Sequence, residues 1–305
     1  MQDVELVDVG PRDGLQSDAV ILPTPVKLQL IERLIGAGVR AVEVASFVNP
    51  KKVPQMADAE AIYAGLQRRE AVRYIGLVLN RKGFDRAVAA GCSDFSMVTA
   101  ATDEFGRSNQ GMTISESLAV WADIAPRARA IQARAELTIS VSFGCPFAGE
   151  VKADRVIEVT KEAARSNPDA ITLADTIGVA VPNQVHDLFQ RVRAAVPEKI
   201  ALRAHFHNTR NMAVANVQAA LDVGVRSFDA SVGGIGGCPF APNATGNVAS
   251  EDLLYLFSRS GYHTGIDLDR LIATAHWLGE QLNKTMPSMV SRAGAWPKKR
   301  EGVGS

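Results

Sequence analysis

Residues 200–232 read IALRAHFHNTRNMAVANVQAALDVGVRSFDASV, and this stretch holds the pattern that decides the fold. A short, mostly apolar run at 200–206 predicts a strand, and the longer run at 212–223 predicts a helix. Gly224 ends the helix, because glycine readily takes the left-handed conformation of a helix C-terminus, and a second strand is predicted at 227–232. The stretch is therefore typical of a strand–helix–strand unit, whose two strands run parallel.

The same alternation extends along the rest of the chain. Further strands are predicted at residues 4–9, 39–47, 72–79, 94–98, 136–143 and 170–173, and further helices at 25–36, 55–65, 83–90, 115–129, 153–165 and 184–196. Eight strands alternating with helices favour an α/β fold of the (β/α)8 TIM-barrel type, with a doubly wound open sheet as the alternative. We expect residues 1–305 to form a single domain, with additional C-terminal helices at about 248–290.

The composition narrows the classes of function. The 305 residues include 33 basic and 33 acidic side chains, so nothing indicates a nucleic-acid partner. Three widely spaced cysteines indicate a reducing compartment rather than a disulfide framework. The first predicted strand begins too early for a signal peptide to precede it, and no apolar run reaches the roughly 18 residues that a membrane span needs. We therefore expect a cytoplasmic enzyme with no membrane partner.

Polar residues stand where the predicted strands end. In barrels of this type the chemistry lies at the carboxyl ends of the strands, so these residues should meet at one rim. The ends of strands one, two, six and seven supply Arg12, Asp13, Glu43, Ser46, Asp175, Thr176, His205 and His207. Such a set of charged and polar side chains on one rim predicts a catalytic site.

His205-Phe206-His207 is the strongest local signal. Residues i and i+2 of a strand point to the same face, so both imidazoles can reach one metal ion, although a strand end without a metal is the alternative for such a pair alone. Asp13, at an equivalent strand end, makes a metal site the better interpretation, because one carboxylate and two imidazoles leave positions open for substrate. A ligand set without thiolate favours Mg²⁺ or Mn²⁺, with zinc or cobalt left open. An amidohydrolase fits less well, because its His-x-His pair usually belongs to the first strand.

A glycine-rich loop follows the eighth predicted strand and contains Cys238, within Gly-Gly-Ile-Gly-Gly-Cys-Pro-Phe. This segment is too rich in glycine to belong to a core, and a loop that closes over a substrate can bring a thiol with it. The glycines do not follow the G-x-G-x-x-G pattern of a dinucleotide site. We therefore interpret Cys238 as functional, and Cys92 and Cys145 as core or structural thiols.

Five motifs together resemble those of the 3-hydroxy-3-methylglutaryl-CoA lyase (HMG-CoA lyase) family of the DRE-TIM metallolyases. They are VGPRDGLQ at residues 9–16, SFVNPKKVPQM at 46–56, ADTIGV at 174–179, GGCPFA at 236–241 and GNVASED at 246–252. The resemblance runs over nearly the whole chain, and it implies metal-dependent cleavage of HMG-CoA to acetyl-CoA and acetoacetate.

The resemblance also implies a division of roles among residues. A divalent cation, Mg²⁺ or Mn²⁺, would be held by Asp13, His205, His207 and Asn247. Catalytic roles would fall to Arg12 beside the thioester carbonyl, to Cys238 in proton transfer, and to Glu43, Asp175 and Glu251 as supporting acids. Contacts with substrate or coenzyme A would come from Gln16, Ser46, Asn109, Thr138, Thr176 and Asn283. The implied partners are an acyl-CoA thioester and further copies of the chain, as a homodimer or higher homo-oligomer.

Two departures from the family pattern keep other substrates open. Residues 208–211 read Asn-Thr-Arg-Asn where the family usually has Asp-Thr-Tyr-Gly, and Thr138 stands where it often has tyrosine. Both lie near the expected position of the acyl group. A lyase for a related 3-hydroxyacyl-CoA, of the citramalyl-CoA or isohexenylglutaryl-CoA type, is therefore an alternative. A Claisen-type synthase or aldolase is an alternative of a different class.

Overall fold

The structure, a computed structural model, describes residues 2–237 and 246–297. Eight parallel strands close into a barrel in sequence order, and strand one pairs with strand eight. The barrel strands are β1 (Glu5–Asp8), β2 (Ala41–Ser46), β3 (Arg73–Val78), β4 (Asp94–Ala100), β5 (Arg134–Ser140), β6 (Ala170–Asp175), β7 (Ala201–Phe206) and β8 (Ser227–Ala230). Closure confirms the predicted TIM barrel and excludes the open sheet.

Helices connect successive strands and surround the barrel. They are α1 (Thr24–Gly36), α2 (Ala59–Gly65), α3 (Arg81–Ala89), α4 (Asp103–Gln110), α5 (Ile114–Ala130), α6 (Ala153–Ala164), α7 (Pro182–Ala195), α8 (Ala213–Asp222), α9 (Ser250–Arg259), α10 (Leu268–Leu282) and α11 (Met289–Ala293). Helix α9 is the eighth helix of the barrel ring, while α4 is an extra helix between β4 and α5. The range 248–290, predicted to hold additional C-terminal helices, contains α9 and α10, and α11 begins at its end.

The barrel strands separate an apolar core outside them from a more polar interior. On β7, Leu202, Ala204 and Phe206 belong to the large core between the strands and the surrounding helices. The intervening residues Arg203 and His205 line the inside of the barrel, because successive side chains of a strand point to opposite faces. This alternation explains how a strand in the centre of the protein can carry charged and polar side chains.

A network of ion pairs lies at the amino-terminal end of the barrel. Arg73 on β3 binds Asp94 through Nε at 2.7 Å and Glu5 through Nη1 at 2.9 Å, and it also contacts Glu136. Arg203 on β7 binds Glu136 from the other side, with Nη1 and Oε2 2.8 Å apart. We call Glu5, Arg73, Asp94, Glu136 and Arg203 the floor network, because these side chains close the lower end of the barrel.

The C-terminal helices pack against the first part of the chain. The guanidinium of Arg33 on α1 lies over the ring of Trp277 on α10, 4.6 Å from its centroid. Two short strands, Gln2–Asp3 and Tyr262–His263, pair in parallel. Within residues 2–237 and 246–297, every helix is too short or too polar to cross a membrane.

Candidate active site

The loop after β1 presents Arg12 and Asp13 at the carboxyl end of the barrel. Residues Gly10–Gly14 form a single π-helical turn. A Cβ atom on Gly14 would lie 2.7 Å from Cγ1 of Ile235, and one on Gly10 would lie 2.8 Å from an Asp8 carboxylate oxygen. Glycine at both positions therefore lets the turn press against the loop after β8.

Two carboxylates hold the Arg12 side chain. Its Nε donates to Oε2 of Glu43 at 2.7 Å, and its Nη1 donates to Oδ1 of Asp13 at 2.6 Å. Burial opposes the charge of Arg12, but Glu43 and Asp13 outweigh burial and raise its pKa above the usual value. The guanidinium is thus a fixed cation with a defined orientation.

Asp13, His205 and His207 converge on one point. One ligand atom from each, a carboxylate oxygen or a ring nitrogen, lies within 4.8 Å of the other two. Burial raises the pKa of Asp13, but Arg12 and the two histidines more than reverse this and hold it at about 2. Burial, followed by the proximity of His205, lowers the pKa of His207 to about 4. The site thus offers an ionised carboxylate and a neutral imidazole, which are the forms that bind metals.

Asn247 joins this group from the loop after β8. Its Nδ2 donates to Oδ2 of Asp13 at 2.9 Å and to the carbonyl of Ile235 at 3.2 Å. The amide oxygen of Asn247 and Nδ1 of His207 are buried, and neither has a hydrogen-bond partner among the described residues. Unsatisfied buried acceptors are costly, so their convergence indicates a place for a cation. The predicted ligands Asp13, His205, His207 and Asn247 therefore fit a divalent metal ion.

Asp229 on β8 is a site residue that the sequence analysis missed. Its Oδ2 lies 3.2 Å from Nδ1 of His205, and the two residues are paired in the register of β7 and β8. The available signal was the alternation along β8, which places Ser227 and Asp229 on the inner face. An aspartate in the middle of a barrel strand, rather than at its end, was not recognised as part of a site.

A cavity of about 500 Å³ opens beside Asp13, His205 and His207 and reaches down to Arg203. Four of the predicted substrate contacts, Gln16, Asn109, Thr138 and Thr176, line it. Its apolar wall is formed by Val7, Val9, Ile75, Leu77, Val98, Phe105 and Met112. The cavity thus combines a polar face around Asp13 with an apolar face suited to a branched acyl group.

Four predicted site residues are not among those that line this cavity: Ser46, Asp175, Glu251 and Asn283. Both oxygens of Asp175 accept backbone N–H groups of its own loop, from Val179 at 2.9 Å and Ala180 at 3.0 Å. Glu251 is fully buried and accepts from Gly233 N at 2.9 Å. Ser46 is buried on β2, and Asn283 caps the C-terminus of α10. Asp175 and Glu251 brace loops of the rim, and the roles predicted for these four residues remain predictions.

The thiols separate into two groups. Cys92 and Cys145 are buried and free, as expected of core or structural residues. Cys238 lies outside the described residues, so its predicted role in proton transfer remains a prediction. Gly237, the residue before it, lines the cavity.

Arg210 belongs to one of the two departures from the family pattern, and its guanidinium binds backbone carbonyls of the loop after β6. Its Nη1 donates to the carbonyls of Gly178 at 2.9 Å and Ile177 at 3.1 Å. Arg210 thereby ties the loop after β7 to the loop after β6. Of the two departures, Thr138 is the one that lines the cavity.

Comparisons with known proteins agree with the fold. The chain matches the HMGL-like family model over residues 3–278. (R)-Citramalyl-CoA lyase of Chloroflexus aurantiacus is 43% identical over 304 residues, covering 96% of each chain. Mitochondrial hydroxymethylglutaryl-CoA lyase of Mus musculus is 41% identical over 292 residues, covering 96% of this chain and 90% of that protein. The structure of an HMG-CoA lyase from Acinetobacter baumannii, in complex with coenzyme A and 3-methylmalate, matches with a TM-score of 0.93 and 37% identity over 98% of this chain and 97% of that one.

The barrel and its relatives define a lyase that breaks carbon–carbon bonds. The chain belongs to the HMGL-like family, and the resemblance drawn from its motifs is confirmed.

Proposed function

We propose that this lyase cleaves HMG-CoA to acetyl-CoA and acetoacetate with the help of Mg²⁺ or Mn²⁺. The observation that carries the proposal is the convergence of Asp13, His205 and His207 beside Arg12, at the mouth of a cavity large enough for a branched acyl group. The HMG-CoA lyases among the relatives support this substrate class. The complex of one of them with coenzyme A supports an acyl-CoA as the form in which substrate arrives.

The cation would be held by Asp13, His205, His207 and Asn247. When bound, it would supply a Lewis acid that polarises the 3-hydroxyl group and orients the distal carboxylate. The oxygen and imidazole donors fit Mg²⁺ or Mn²⁺.

Arg12 has the properties required to stabilise an enolate. Breaking the bond between C2 and C3 leaves a negative charge on the thioester oxygen, and a fixed guanidinium nearby lowers the free energy of that state. Nε of Arg12 donates to Oε2 of Glu43 at 2.7 Å, so the guanidinium does not have to reorient as negative charge develops on the thioester oxygen. Glu43 is therefore assigned the task of orienting Arg12.

Two proton transfers complete the reaction. The 3-hydroxyl must lose its proton as the carbonyl of the keto product forms, and the enolate carbon must gain one to give the acetyl thioester. Of the two carboxylates considered for the first step, Asp13 lines the cavity, whereas Asp175 is bound to its own loop. We therefore assign the first step to Asp13. Cys238 stays the candidate donor for the second step.

Citramalyl-CoA is a second candidate substrate, favoured by two observations. A relative that is 43% identical over 96% of the chain is named (R)-citramalyl-CoA lyase. Thr138, a small residue where the family often has tyrosine, lines the cavity and changes its shape near the acyl group. Citramalyl-CoA carries the same pairing of hydroxyl and carboxylate, so the same ligands and Arg12 would serve it.

A substrate panel tests the proposal directly. Metal-free protein, prepared with a chelator, is assayed with HMG-CoA, citramalyl-CoA and isohexenylglutaryl-CoA, each with and without Mg²⁺ or Mn²⁺. We expect metal-dependent release of acetyl-CoA, and the thioester with the highest kcat/KM identifies the substrate. Incubation with acetyl-CoA and a 2-keto acid is the control for a synthase. Condensation without cleavage of any thioester would contradict the proposal.

A homodimer or higher homo-oligomer is proposed on the basis of family resemblance alone, and a cytoplasmic location on the basis of the three widely spaced cysteines. Light scattering of the purified protein, in the absence of substrate, measures its mass in solution directly. A monomer of 32.6 kDa would contradict the proposed assembly.

A further inference from the structure

Asp229 lies beside one of the proposed metal ligands, on the neighbouring strand. On the inner faces of β7 and β8, His205 and Asp229 are register partners, and Oδ2 of Asp229 is 3.2 Å from Nδ1 of His205. Both side chains are largely buried. The contact is therefore shielded from competing water, which strengthens its influence on the imidazole.

The partner of Nδ1 decides which nitrogen of His205 is free. A carboxylate can only accept hydrogen bonds, so the ring must carry its proton on Nδ1 to satisfy the contact with Asp229. The lone pair then lies on Nε2, at the other edge of the ring, where it can face Asp13 and His207. A carboxylate behind a ligating imidazole fixes both the tautomer and the orientation of the ring.

Asp229 is itself held from below. The Nε of Arg203 lies 3.7 Å from Oδ1 of Asp229, and the same Nε donates to the Ser227 hydroxyl at 3.1 Å. Arg203 is anchored in turn by Glu136, with Nη1 and Oε2 2.8 Å apart. Asp229 thus connects the floor network to the site above it, and its position is determined from two sides.

We propose that Asp229 is a positioning residue that sets the tautomer and orientation of His205 for binding the divalent cation. This inference rests on the proposed function, because it assigns the cation to the same four ligands. Asp229 does not touch substrate. It acts through His205, so its removal should weaken metal binding before it affects the chemical step.

The test compares Asp229→Asn with Asp94→Asn. Both variants replace a buried carboxylate on a barrel strand by an amide, but Asp94 binds Arg73 in the floor network and does not contact a proposed ligand. Titration of metal-free protein with Mn²⁺ should give a dissociation constant that is about 10- to 100-fold larger for Asp229→Asn than for the wild type. Asp94→Asn should stay within about twofold of the wild type, because it leaves the contact with His205 intact.

A second measurement reports on the ring without any metal. Multiple-bond ¹H–¹⁵N NMR of metal-free protein labelled at its five histidines, recorded at a pH above the raised pKa of His205 so that the ring is neutral, distinguishes the two tautomers. His205→Gln identifies the His205 signals by their loss. We expect the Nδ1–H tautomer in the wild type and a mixture in Asp229→Asn. Circular dichroism of each variant verifies that it is folded.

Three results would overturn the inference. They are an Nε2–H tautomer in the wild type, unchanged Mn²⁺ affinity in Asp229→Asn, and an equal loss of affinity in Asp94→Asn. The first applies even if the Asp229→Asn variant does not fold. A wild-type protein that binds no Mn²⁺ would instead count against the proposed function, and the tautomer of His205 would still show whether Asp229 controls the ring.

Discussion

The two ends of the barrel are both rich in charged side chains, but these side chains are paired differently at the two ends. At the floor, each member of the network has a partner of opposite charge within 4 Å, as in the pairs of Arg73 with Asp94 and of Arg203 with Glu136. At the mouth, acceptors of His207 and Asn247 are buried without a partner among the described residues. Oδ1 of Asp94 and Oε2 of Glu136 at the floor also lack a hydrogen-bond partner, but arginines of the protein neutralise both carboxylates. The acceptors at the mouth lie instead where we propose that a cation binds. The difference indicates that the floor serves stability and the mouth serves chemistry.

Removal of the metal should have the largest effect on the mouth. Treatment with a chelator should reduce turnover to background, and Mg²⁺ or Mn²⁺ should restore it, because the Lewis acid for the 3-hydroxyl is lost and regained. Added metal at about 100 times its dissociation constant should also raise the free energy of unfolding by about 2.7 kcal/mol. An acetyl-CoA release assay and urea unfolding measure the two effects. Full activity in chelator would contradict the account.

Substitution of Arg12 by methionine should have the next largest effect. The variant loses the cation that faces the developing enolate, so kcat should fall by about 10³-fold, in the range for removal of a donor that acts in the transition state. Mn²⁺ binding should persist, because the four proposed ligands remain. Steady-state kinetics and Mn²⁺ titration check both statements. Normal turnover by Arg12→Met would show that the role assigned to Arg12 is wrong.

The corresponding change at the floor should affect stability instead. Arg73→Met leaves the buried carboxylates of Asp94 and Glu136 with fewer cations, so the free energy of unfolding should fall by about 3 kcal/mol. Below the unfolding transition, kcat should stay close to that of the wild type. Urea unfolding and the lyase assay at the same temperature measure the two quantities. A loss of kcat as large as that of Arg12→Met would contradict the division between floor and mouth.

Buried carboxyls at the two ends should also make the free energy of unfolding depend on pH in opposite senses. Burial raises the pKa of Glu251, below the rim, to about 8 from an ordinary value of 4.5. A carboxyl that binds its proton more tightly when folded loses stability as pH rises between these two values, so Glu251→Gln should flatten the fall in unfolding free energy from about pH 5 to 8. Burial alone would raise the pKa of Glu5 at the floor, but the charges of Arg203 and Arg73 outweigh burial and lower this pKa below its ordinary value.

Glu5→Gln is therefore the matched control for this pH dependence. Because the folded pKa of Glu5 is lowered, its contribution is present above its ordinary pKa and is lost as pH falls through the folded value. Glu5→Gln should flatten the acid side of the stability profile and leave the alkaline side unchanged. Urea unfolding across the pH range gives both profiles. The same alteration in both variants would show that the two ends do not differ in this respect.

The smallest effect concerns the choice of acyl group at the mouth. Thr138→Tyr adds a ring to the cavity wall, so it should change the ratio of kcat/KM values between HMG-CoA and citramalyl-CoA by about 10-fold, as one altered contact in an apolar pocket does. Metal affinity should not change, because Thr138 is not a proposed ligand. Competition between the two thioesters in one assay gives the ratio. An unchanged ratio would remove Thr138 from the determinants of specificity.

The alternation of short apolar runs with helical patterns was sufficient to predict the barrel. It missed α4, because Phe105 is the one large apolar residue of DEFGRSNQ; this helix begins at the Thr102 cap and brings Phe105 and Asn109 to the cavity. Helix formation there is favoured by the cap and by tertiary contacts rather than by a run of apolar residues. Thus the architecture was predictable from the sequence, while one wall of the cavity was not.

The orientation of residues at strand ends was harder to predict than their presence. The sixth strand was predicted to end at residue 173, but β6 extends to Asp175. Alternation along the longer strand places Ala174 and Thr176 towards the cavity and turns Asp175 away from it. The two histidines lie on the same face, as predicted, because His205 is on β7 and His207 follows the end of that strand directly.

Asn247 and Asp229 show what a single sequence conceals. Asn247 was assigned from motif resemblance, and its contact with Asp13 joins residues 234 positions apart. Asp229 reaches His205 only through the pairing of β7 with β8, a register that closure of the barrel fixes. Contacts between neighbouring strands depend on this register, which the local sequence does not specify.

We propose above all that two histidines and an aspartate hold one divalent cation at the mouth of the barrel. Pulsed electron paramagnetic resonance of Mn²⁺-loaded protein, with ¹⁵N-labelled histidine, measures the coupling between the metal and ring nitrogens. The account predicts coupling to two imidazole nitrogens, of which one is lost in His205→Ala and one in His207→Ala. Bound Mn²⁺ without histidine coupling, or coupling that persists in both variants, would contradict it.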